Sequence, residues 1–357
     1  MRRCRTRDLG VPLPGTPGPF NAITDVAGVS VGYTTIIDDK KPVRTGVTAI
    51  LPRPVEQLLE PLWAGCFALN GNGELTGAHW ISEAGWFVGP IVLTNTFSLG
   101  LAHHATARWM AGKFRARFED GDKFFLPVVA ETYDGYVNDI VGFHVTEQDV
   151  FTAIDGACPG RIAEGNVGGG TGMVCYEFKG GTGTSSRKVT TYDGSQVTIG
   201  ALVQANHGLR PWLKIAGRDC SQIDLGGSRH FERERGSIVA VIATDAPVSP
   251  IQLQRLARRA SIGIGRGGTP SGNDSGDIFM AFSTANSFGS IPEPVRHNLT
   301  CLSNNLLDPL FEGVVECVEE AVLNALSSAE TLAGSHGRVV EAINLDAIKK
   351  IFSGRNS

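Results

Sequence analysis

The sequence predicts an α/β fold of the layered, α+β kind, built as one domain in which helices flank strands. Apolar runs of strand length alternate with amphipathic segments of helix length along the chain. No internal repeat, low-complexity tract or long linker divides the 357 residues. The 45 glycines and 18 prolines favour many short strands joined by tight turns.

The first part of the chain has short apolar runs that predict strands of a well-covered sheet, because they alternate or are continuously apolar. They are GVSVGYTTI (28–36), GVTAIL (46–51) and WFVGPIVLTN (86–95). A helix is predicted over 101–118, and a further strand over 124–135.

The middle of the chain begins with a short helix over 146–157, where Thr146 and Asp149 have capping-box spacing. A glycine-dense loop, which includes NVGGGTGM (166–173), then runs into a strand. The next strand, over 197–208, is apolar and ends in polar residues, and such strand ends are common positions for functional groups.

The most charged stretch, SRHFERERG (228–236), is the nearest thing to a linker and is predicted to be an exposed loop. It leads directly into the apolar strand SIVAVIATD (237–245). A helix over 249–266 follows, with Ser249 as its N-cap, and the last long helix is predicted over 308–330.

The composition excludes several function classes. A formal charge of −4 leaves no basic surface typical of proteins that bind nucleic acid or anionic membranes. Seven scattered cysteines without a CxxC pair predict reduced thiols in a cytoplasmic protein. The N-terminus lacks the apolar core of a secretory signal, and no apolar run approaches the ~20 residues that span a bilayer.

Three familiar kinds of site have weak signals. GIGRGG (263–268) follows a helix instead of opening one, so its match to a phosphate loop is attributed to chance. NVGGGTGM fits an anion-binding nest or, at least as well, a tight packing site. The histidine and cysteine spacings predict no metal site. His207 ends a strand as a triad histidine could, but no G-x-S-x-G elbow occurs.

The junction of Gly236 and Ser237 offers another chemistry. A cut there would give Ser237 a free α-amine beside its nucleophilic hydroxyl, and that amine can act as the general base because its ordinary pKa is ~7.7–8.0. Glycine removes side-chain bulk, and the strand would hold the nucleophile rigidly. Taken locally, an ordinary charged turn before a buried strand explains the same pattern.

Several segments together resemble the L-aminopeptidase/D-Ala-esterase-amidase family, which includes the β-peptidyl aminopeptidases. They occur in the family's order and are RDLGVPLPGTPGPFNAITDVAGVSVGYTT (7–35), EGNVGGGTGM (164–173), VQANHG (203–208), RGSIVAVIATDAP (235–247) and SGDIFMAFSTAN (275–286). The resemblance implies a four-layer αββα sandwich of the N-terminal-nucleophile type. It also implies self-cleavage into an α subunit of residues 1–236 and a β subunit of residues 237–357.

Three catalytic positions follow from the resemblance. Ser237 matches the family's nucleophile, with its α-amine as base. Asn206 matches the amide that donates a hydrogen bond to the oxyanion, and Tyr133 is the expected second polar contact at that centre.

Three further positions complete the predicted site. Glu131 resembles the carboxylate that pairs with the substrate's amino group, although a surface carboxylate would also fit its position. Ser275 and Asp277 match the residues that hydrogen-bond around the hydroxyl and amine of the nucleophile. Asp277 stands where some members of the family carry Glu.

The resemblance implies a serine aminopeptidase that releases N-terminal amino acids from short peptides, amides or esters through an acyl-enzyme. It implies a homo-oligomer of processed units, and neither a cofactor nor a metal is expected. Two alternatives within the same fold are a hydrolase of ω-amino acid oligomers and an acyltransferase. A small-molecule binding protein that has lost activity is the alternative from another class.

Overall fold

The fold is described from a computed structural model that covers residues 3–119, 121, 124–286 and 298–353. Over these residues the chain forms sixteen strands, six α-helices and several short 3₁₀ turns. The strands are β1 (Ser30–Asp38), β2 (Val43–Leu51), β3 (Leu62–Gly71), β4 (Trp86–Phe87), β5 (Ile91–Asn95), β6 (Val128–Thr132), β7 (Val174–Cys175), β8 (Phe178–Lys179), β9 (Gly181–Thr190), β10 (Gln196–Asn206), β11 (Lys214–Ile215), β12 (Arg218–Asp219), β13 (Ser237–Thr244), β14 (Gly276–Ser283), β15 (Leu332–Ala333) and β16 (Val339–Val340). The helices are α1 (Ala78–Ala84), α2 (Leu99–Lys113), α3 (Glu147–Asp155), α4 (Pro250–Arg266), α5 (Asp308–Ser328) and α6 (Leu345–Phe352).

Two sheets account for most of the longer strands. The smaller sheet has the order β1-β2-β5-β6, and the larger has the order β4-β3-β14-β13-β10-β9. In the larger sheet β13 runs parallel to β14 and antiparallel to β10. Strand β13 therefore lies inside the sheet, with a paired neighbour on each side.

The alternation of side chains along β13 shows how the layers stack. Val239 and Val241 point into a core between the two sheets, which also contains Ile50 and Leu93 of the smaller sheet. Ile238, on the opposite face of β13, belongs to a second core that the larger sheet forms with α4 and α5. Helices α2 and α3 cover the outer face of the smaller sheet. The described residues thus form a four-layer αββα sandwich, in agreement with the fold class that the sequence predicts.

Most predicted elements are confirmed close to their predicted bounds. In α4 the Ser249 hydroxyl accepts the N–H of Gln252, and at α3 Thr146 and Asp149 form the capping box that their spacing predicts. The run 86–95 is two strands, β4 and β5, in different sheets, because the chain turns at Gly89, whose φ is +85°. The strand predicted over 124–135 is shorter, since only Val128–Thr132 is paired.

The glycine motifs that suggested phosphate loops are structural. GIGRGG overlaps the C-terminal turn of α4, so it does not begin a helix. In NVGGGTGM the N–H groups of Gly168 and Gly169 bond to the hydroxyls of Thr35 and Thr48. The tight-packing interpretation of this loop therefore holds. Among the helices that the structure describes, none is both long enough and apolar enough to cross a membrane.

Candidate active site

Ser237 is the first residue of β13 and is buried, with 7% of its surface exposed. It shares a strand face with Val239 and Val241, so its side chain points towards the layer between the two sheets. The Ser237 Oγ accepts the backbone N–H of Gly276, the neighbouring residue in β14, at 3.2 Å. The hydroxyl is thus held at the end of a rigid strand, directly after the charged linker.

Asn206 lies opposite Ser237 in the antiparallel pair of β10 and β13, so the two side chains share one face. Its Oδ1 accepts the N–H of Val174 at 2.7 Å, and its Nδ2 donates to the backbone carbonyl of Tyr133 at 2.9 Å. These two bonds fix the plane of the amide. An amide nitrogen carries two hydrogens, so the Tyr133 carbonyl uses one and leaves one to donate elsewhere.

Tyr133 follows the last residue of β6, at the end of the smaller sheet. Its backbone carbonyl contacts Asn206, while the residue is 44% exposed and lines a cavity beside Gly236. The structure therefore brings Tyr133 to the predicted centre through its main chain, with its phenol at the entrance.

Glu131 is the next-to-last residue of β6 and is only 6% exposed, so the alternative that it is a surface carboxylate is wrong. Its carboxylate accepts the N–H of Glu74 at 3.0 Å and the hydroxyl of Thr96. Burial raises its pKa, and these hydrogen bonds partly offset that rise. A Cβ built on Gly73 would lie 3.3 Å from Glu131 Oε1 and 3.5 Å from the Cα of Gly276. Glu131 is therefore close to the Ser237 neighbourhood.

Ser275 and Asp277 lie on either side of Gly276. The Ser275 hydroxyl donates to Asp277 Oδ1 at 2.6 Å, and the hydroxyl of Ser271 donates to Oδ2. Asp277 pairs with Ile238 in the register of β13 and β14, which places its side chain on the face opposite Ser237. Within the described chain, the side chains that hydrogen-bond to the Asp277 carboxylate are those of these two serines, and Ser237 is not among them.

The charged linker is tied down by two buried carboxylates. Glu177 accepts the N–H groups of His230 and Phe231 at 2.7 and 2.9 Å. Burial alone would raise the pKa of Glu177, but these donors, with Arg210 and Arg229, hold it below the ordinary value. The second carboxylate, Glu234, belongs to the linker itself.

Glu234 is 6% exposed, so the prediction of an exposed linker is wrong at this residue, whereas Glu232, Arg233 and Arg235 are exposed. It accepts the N–H of Gly208 and, at 2.6 Å, that of Gly272. Burial raises its pKa. The carboxylate therefore fixes the linker two residues before Gly236.

His207 does not have the surroundings of a triad histidine. Its Nδ1 lies 3.9 Å from the Cys175 sulfur, and its Nε2 has no hydrogen-bond partner among the described residues. Burial lowers its pKa to about 4, so the ring is neutral near pH 7. The described residues also contain no group of three or more histidine, cysteine, aspartate or glutamate side chains that could hold a metal ion.

The sequence did not single out three groups that the structure places beside the predicted site. Ser271, which reaches Asp277, has a φ of +62° that no local pattern predicts for a serine, and Glu234 could not be told from the other charges of its run. The backbone N–H of Gly276 contacts the Ser237 hydroxyl, and a backbone contact between strands requires the register to be known.

Comparisons with known proteins agree on one family. The profile of peptidase family S58 matches residues 21–340. The β-peptidyl aminopeptidase BapA of Sphingosinicella microcystinivorans is 46% identical over 362 residues, which cover 95% of this chain and 89% of the relative. BapA of Sphingosinicella xenopeptidilytica is 44% identical, over 98% of this chain and 91% of that one.

Solved structures give the same result. The L-aminopeptidase D-Ala-esterase/amidase of Ochrobactrum anthropi, described as a prototype of the serine aminopeptidases and a new variant of the Ntn hydrolase fold, is 50% identical. It superposes with a TM-score of 0.93 over 99% of both chains. A β-aminopeptidase of Burkholderia sp. is 41% identical, with a TM-score of 0.89 over 99% of this chain and 100% of that one.

Proposed function

The chain belongs to peptidase family S58 and is an aminopeptidase with the N-terminal nucleophile hydrolase fold, and from this premise we propose that Ser237 is its nucleophile. We propose further that the chain generates this nucleophile by cutting itself between Gly236 and Ser237. The position of Ser237 carries the proposal. It is the first residue of a buried strand, it faces Asn206, and it directly follows the linker.

In the first stage the Ser237 hydroxyl attacks the carbonyl carbon of Gly236. The peptide C–N bond breaks, the nitrogen of Ser237 takes up a proton to become an amine, and an ester joins Gly236 to the Ser237 oxygen. Water hydrolyses this ester, which releases the carboxylate of Gly236 and restores the hydroxyl. Glycine suits this position because a Cβ on Gly236 would overlap the backbone carbonyl of Asn206.

In the second stage the same hydroxyl attacks the first amide or ester carbonyl of a substrate. The α-amine of Ser237 takes the proton, and the Asn206 amide donates its second N–H to the tetrahedral oxyanion. Tyr133 holds that amide through its carbonyl and offers its phenol at the entrance. The α-amine passes this proton to the leaving amine or alcohol as the C–N or C–O bond of the substrate breaks, and the acyl group stays on the Ser237 oxygen. Water then hydrolyses this acyl-enzyme and restores the hydroxyl.

Glu131 binds the free amino group of the substrate. Its carboxylate is buried close to Gly276, and a buried carboxylate that pairs with an ammonium gains a strong charge-assisted hydrogen bond. Ser275 and Asp277 support the amine of Ser237 from the opposite face of the sheet, together with Ser271.

The substrates we propose are short peptides, amides and esters with a free amino group. Two relatives are named for β-peptides and another for L-amino acids and D-Ala esters, so both kinds of acyl group deserve testing. A β-amino acid carries one more carbon, which moves its amino group by up to ~1.5 Å relative to the carbonyl. The reach from Ser237 to Glu131 therefore decides the preference.

We propose that the two fragments, 1–236 and 237–357, remain together as one unit. By resemblance, processed units assemble into a homo-oligomer in the cytoplasm. No cofactor enters either stage of the proposed chemistry.

Intact mass under denaturing conditions tests the nucleophile. The wild-type protein should give two fragments that meet at Gly236 and Ser237, whereas Ser237→Ala should stay uncut and inactive. The matched control is Ser275→Ala, which should still be cut, although more slowly. A wild-type chain that stays uncut and still hydrolyses amino-acid amides would overturn the proposal.

Activity assays with different substrates distinguish the two alternatives within this fold, a hydrolase of ω-amino acid oligomers and an acyltransferase. Paired p-nitroanilides of L-alanine and β-homoalanine compare the α- and β-acyl groups directly. Addition of a free amine, with transfer product and hydrolysis product measured together, identifies an acyltransferase.

A further inference from the structure

A cavity of 840 Å³ lies beside the Gly236–Ser237 bond. Gly236, Asn206 and Tyr133 line it, and so do Tyr136 and Arg338. Sites for small ligands commonly have volumes of ~300–1,000 Å³, so this cavity has room for a short peptide. It reaches the proposed catalytic centre without including Glu131.

A second, smaller cavity of 260 Å³ lies near Glu131 and shares no lining residue with the larger one. Gly73, Glu74 and Ile278 are among its lining residues, and Gly73 approaches Glu131 closely. In the proposed reaction the amino half of the substrate is bound by Glu131. The larger cavity is therefore left for the half of the substrate beyond the cut bond.

The charges around the larger cavity are mainly positive. Arg233, Arg235 and Arg338 line it, against one acidic residue, Glu232. Within the described parts of the chain, no carboxylate lies within 4.0 Å of the guanidinium nitrogens of these three arginines. Three guanidinium groups without a carboxylate partner give the lining an excess of positive charge, and such a lining favours a negatively charged group.

Arg338 differs from the other two arginines because the body of the protein holds it. Its Nη1 donates to the backbone carbonyl of Tyr136 at 2.9 Å, and its guanidinium carbon lies 4.7 Å from the centre of the Tyr136 ring. Arg233 and Arg235 belong to the linker, which the proposed cut releases at one end. Arg338 therefore keeps its position in the processed enzyme.

We propose that Arg338 binds the C-terminal carboxylate of a short peptide substrate while Glu131 binds its amino group. The guanidinium group is planar and always charged, and it bonds to carboxylates in a fixed geometry. This proposal rests on the proposed function, since it places the cut bond between these two charged groups. It names the preferred substrates as short peptides with a free C-terminus, in preference to their C-terminal amides.

The test compares alanyl-alanine with its C-terminal amide, using the processed wild-type enzyme and Arg338→Gln. The variant should lower kcat/KM for the free acid about tenfold to a hundredfold, mainly through KM, and change kcat/KM for the amide less than about twofold. Arg338→Lys should recover part of the loss. Arg161→Gln, at an exposed arginine outside the cavity, should leave both values unchanged.

Intact mass and thermal unfolding of each variant separate a binding effect from a folding effect. Equal losses on both substrates, or no loss on either, would overturn the assignment of Arg338. A gain on both would mean that Arg338 holds the new carboxylate of Gly236 over the site, which also overturns it. If wild-type enzyme hydrolyses neither substrate and remains uncut, the proposed function itself fails.

Discussion

At Ser237, three neighbours are fixed by the pairing of β13 with its two flanking strands. Asn206 lies opposite Ser237 in β10, and the N–H of Gly276 in β14 donates to the Ser237 hydroxyl. Gly236 lies so close to the backbone carbonyl of Asn206 that a Cβ there would overlap it. A shift of one residue would turn the serine to the helix side of the sheet. The surroundings of this hydroxyl are therefore set by backbone register.

Asp134, which follows Tyr133, is a buried carboxylate with incomplete pairing. Its Oδ1 accepts the amide of Asn138 at 3.0 Å, but its Oδ2 has no partner among the described residues. Burial raises its pKa from 3.8 to about 7, and the nearby polar groups of Thr45, Asn138 and Asn95 offset only part of that rise. The charged form of this residue therefore destabilises the fold.

Asp134→Asn should make the stability of the protein less sensitive to pH. Between pH 3.8 and about 7 the folded state binds this proton more tightly than the unfolded state, so stability falls as pH rises through that window. The comparison is made in the Ser237→Ala chain, which is expected to stay uncut. Adding Asp134→Asn should leave the free energy of unfolding unchanged near pH 4 and raise it by about 1–3 kcal/mol at pH 8. Urea unfolding at both pH values measures this, and an equal change at both would contradict it.

At the scale of the element, the linker is less free than its composition indicates. Glu177 holds its middle through two backbone N–H groups, and Glu234 holds its end against Gly208 and Gly272. The same loop that supplies Gly272 also carries Ser271 and Ser275. Glu234 thus joins the scissile segment to the loop that surrounds Asp277.

Glu234→Ala should slow self-cleavage by at least about tenfold, because the scissile bond loses its fixed approach to Ser237. Glu232→Ala, at an exposed residue of the same linker, should leave the rate unchanged. The uncut fraction is followed on denaturing gels during cell-free synthesis. Equal rates in the two variants would show that Glu234 does not position the bond.

The elements that the sequence predicted are those with strong local signals. The Ser249 cap and Pro250 mark the start of α4, and a continuous apolar run marks β13. Strand β9, GTGTSSRKVT, was not predicted, because its small and polar side chains are buried by their partners across the fold. Its Ser185, for example, donates to the backbone carbonyl of Cys317 in α5.

Within the candidate site, resemblance supplied positions that local patterns could not. Ser237 and Asn206 are far apart in the sequence, and only the register of β10 and β13 makes them neighbours. The buried state of Glu131 depends on Thr96 and Glu74, from two other segments. Contacts of this kind arise from tertiary structure and leave no periodic signal in the chain.

For the whole molecule, the proposed cut produces two fragments whose strands lie in one and the same sheet, the larger one. Strands β13 and β14 come from the C-terminal fragment, and they lie between β10 and β3 of the N-terminal fragment. Helices α4 and α5 belong to the same C-terminal fragment and cover one face of this sheet. Neither fragment has a complete core without the other.

The cut protein should therefore behave as one particle. Fragments 1–236 and 237–357 should elute together in size-exclusion chromatography and separate only when the protein is unfolded in denaturant. The uncut Ser237→Ala chain provides the reference elution volume. Separation of the wild-type fragments under native conditions would contradict the expected association.

Because of the register of β13, the cut would also show whether a given molecule has folded. Strand β13 pairs with β10, which precedes the linker in the chain, and with β14, which follows it. The proposed attack of Ser237 on Gly236 needs both neighbours in place. On the proposed chemistry, a chain that never completes this sheet keeps its linker. The ratio of whole chain to fragments in a cell extract would then report how much of the synthesised protein had reached its native state.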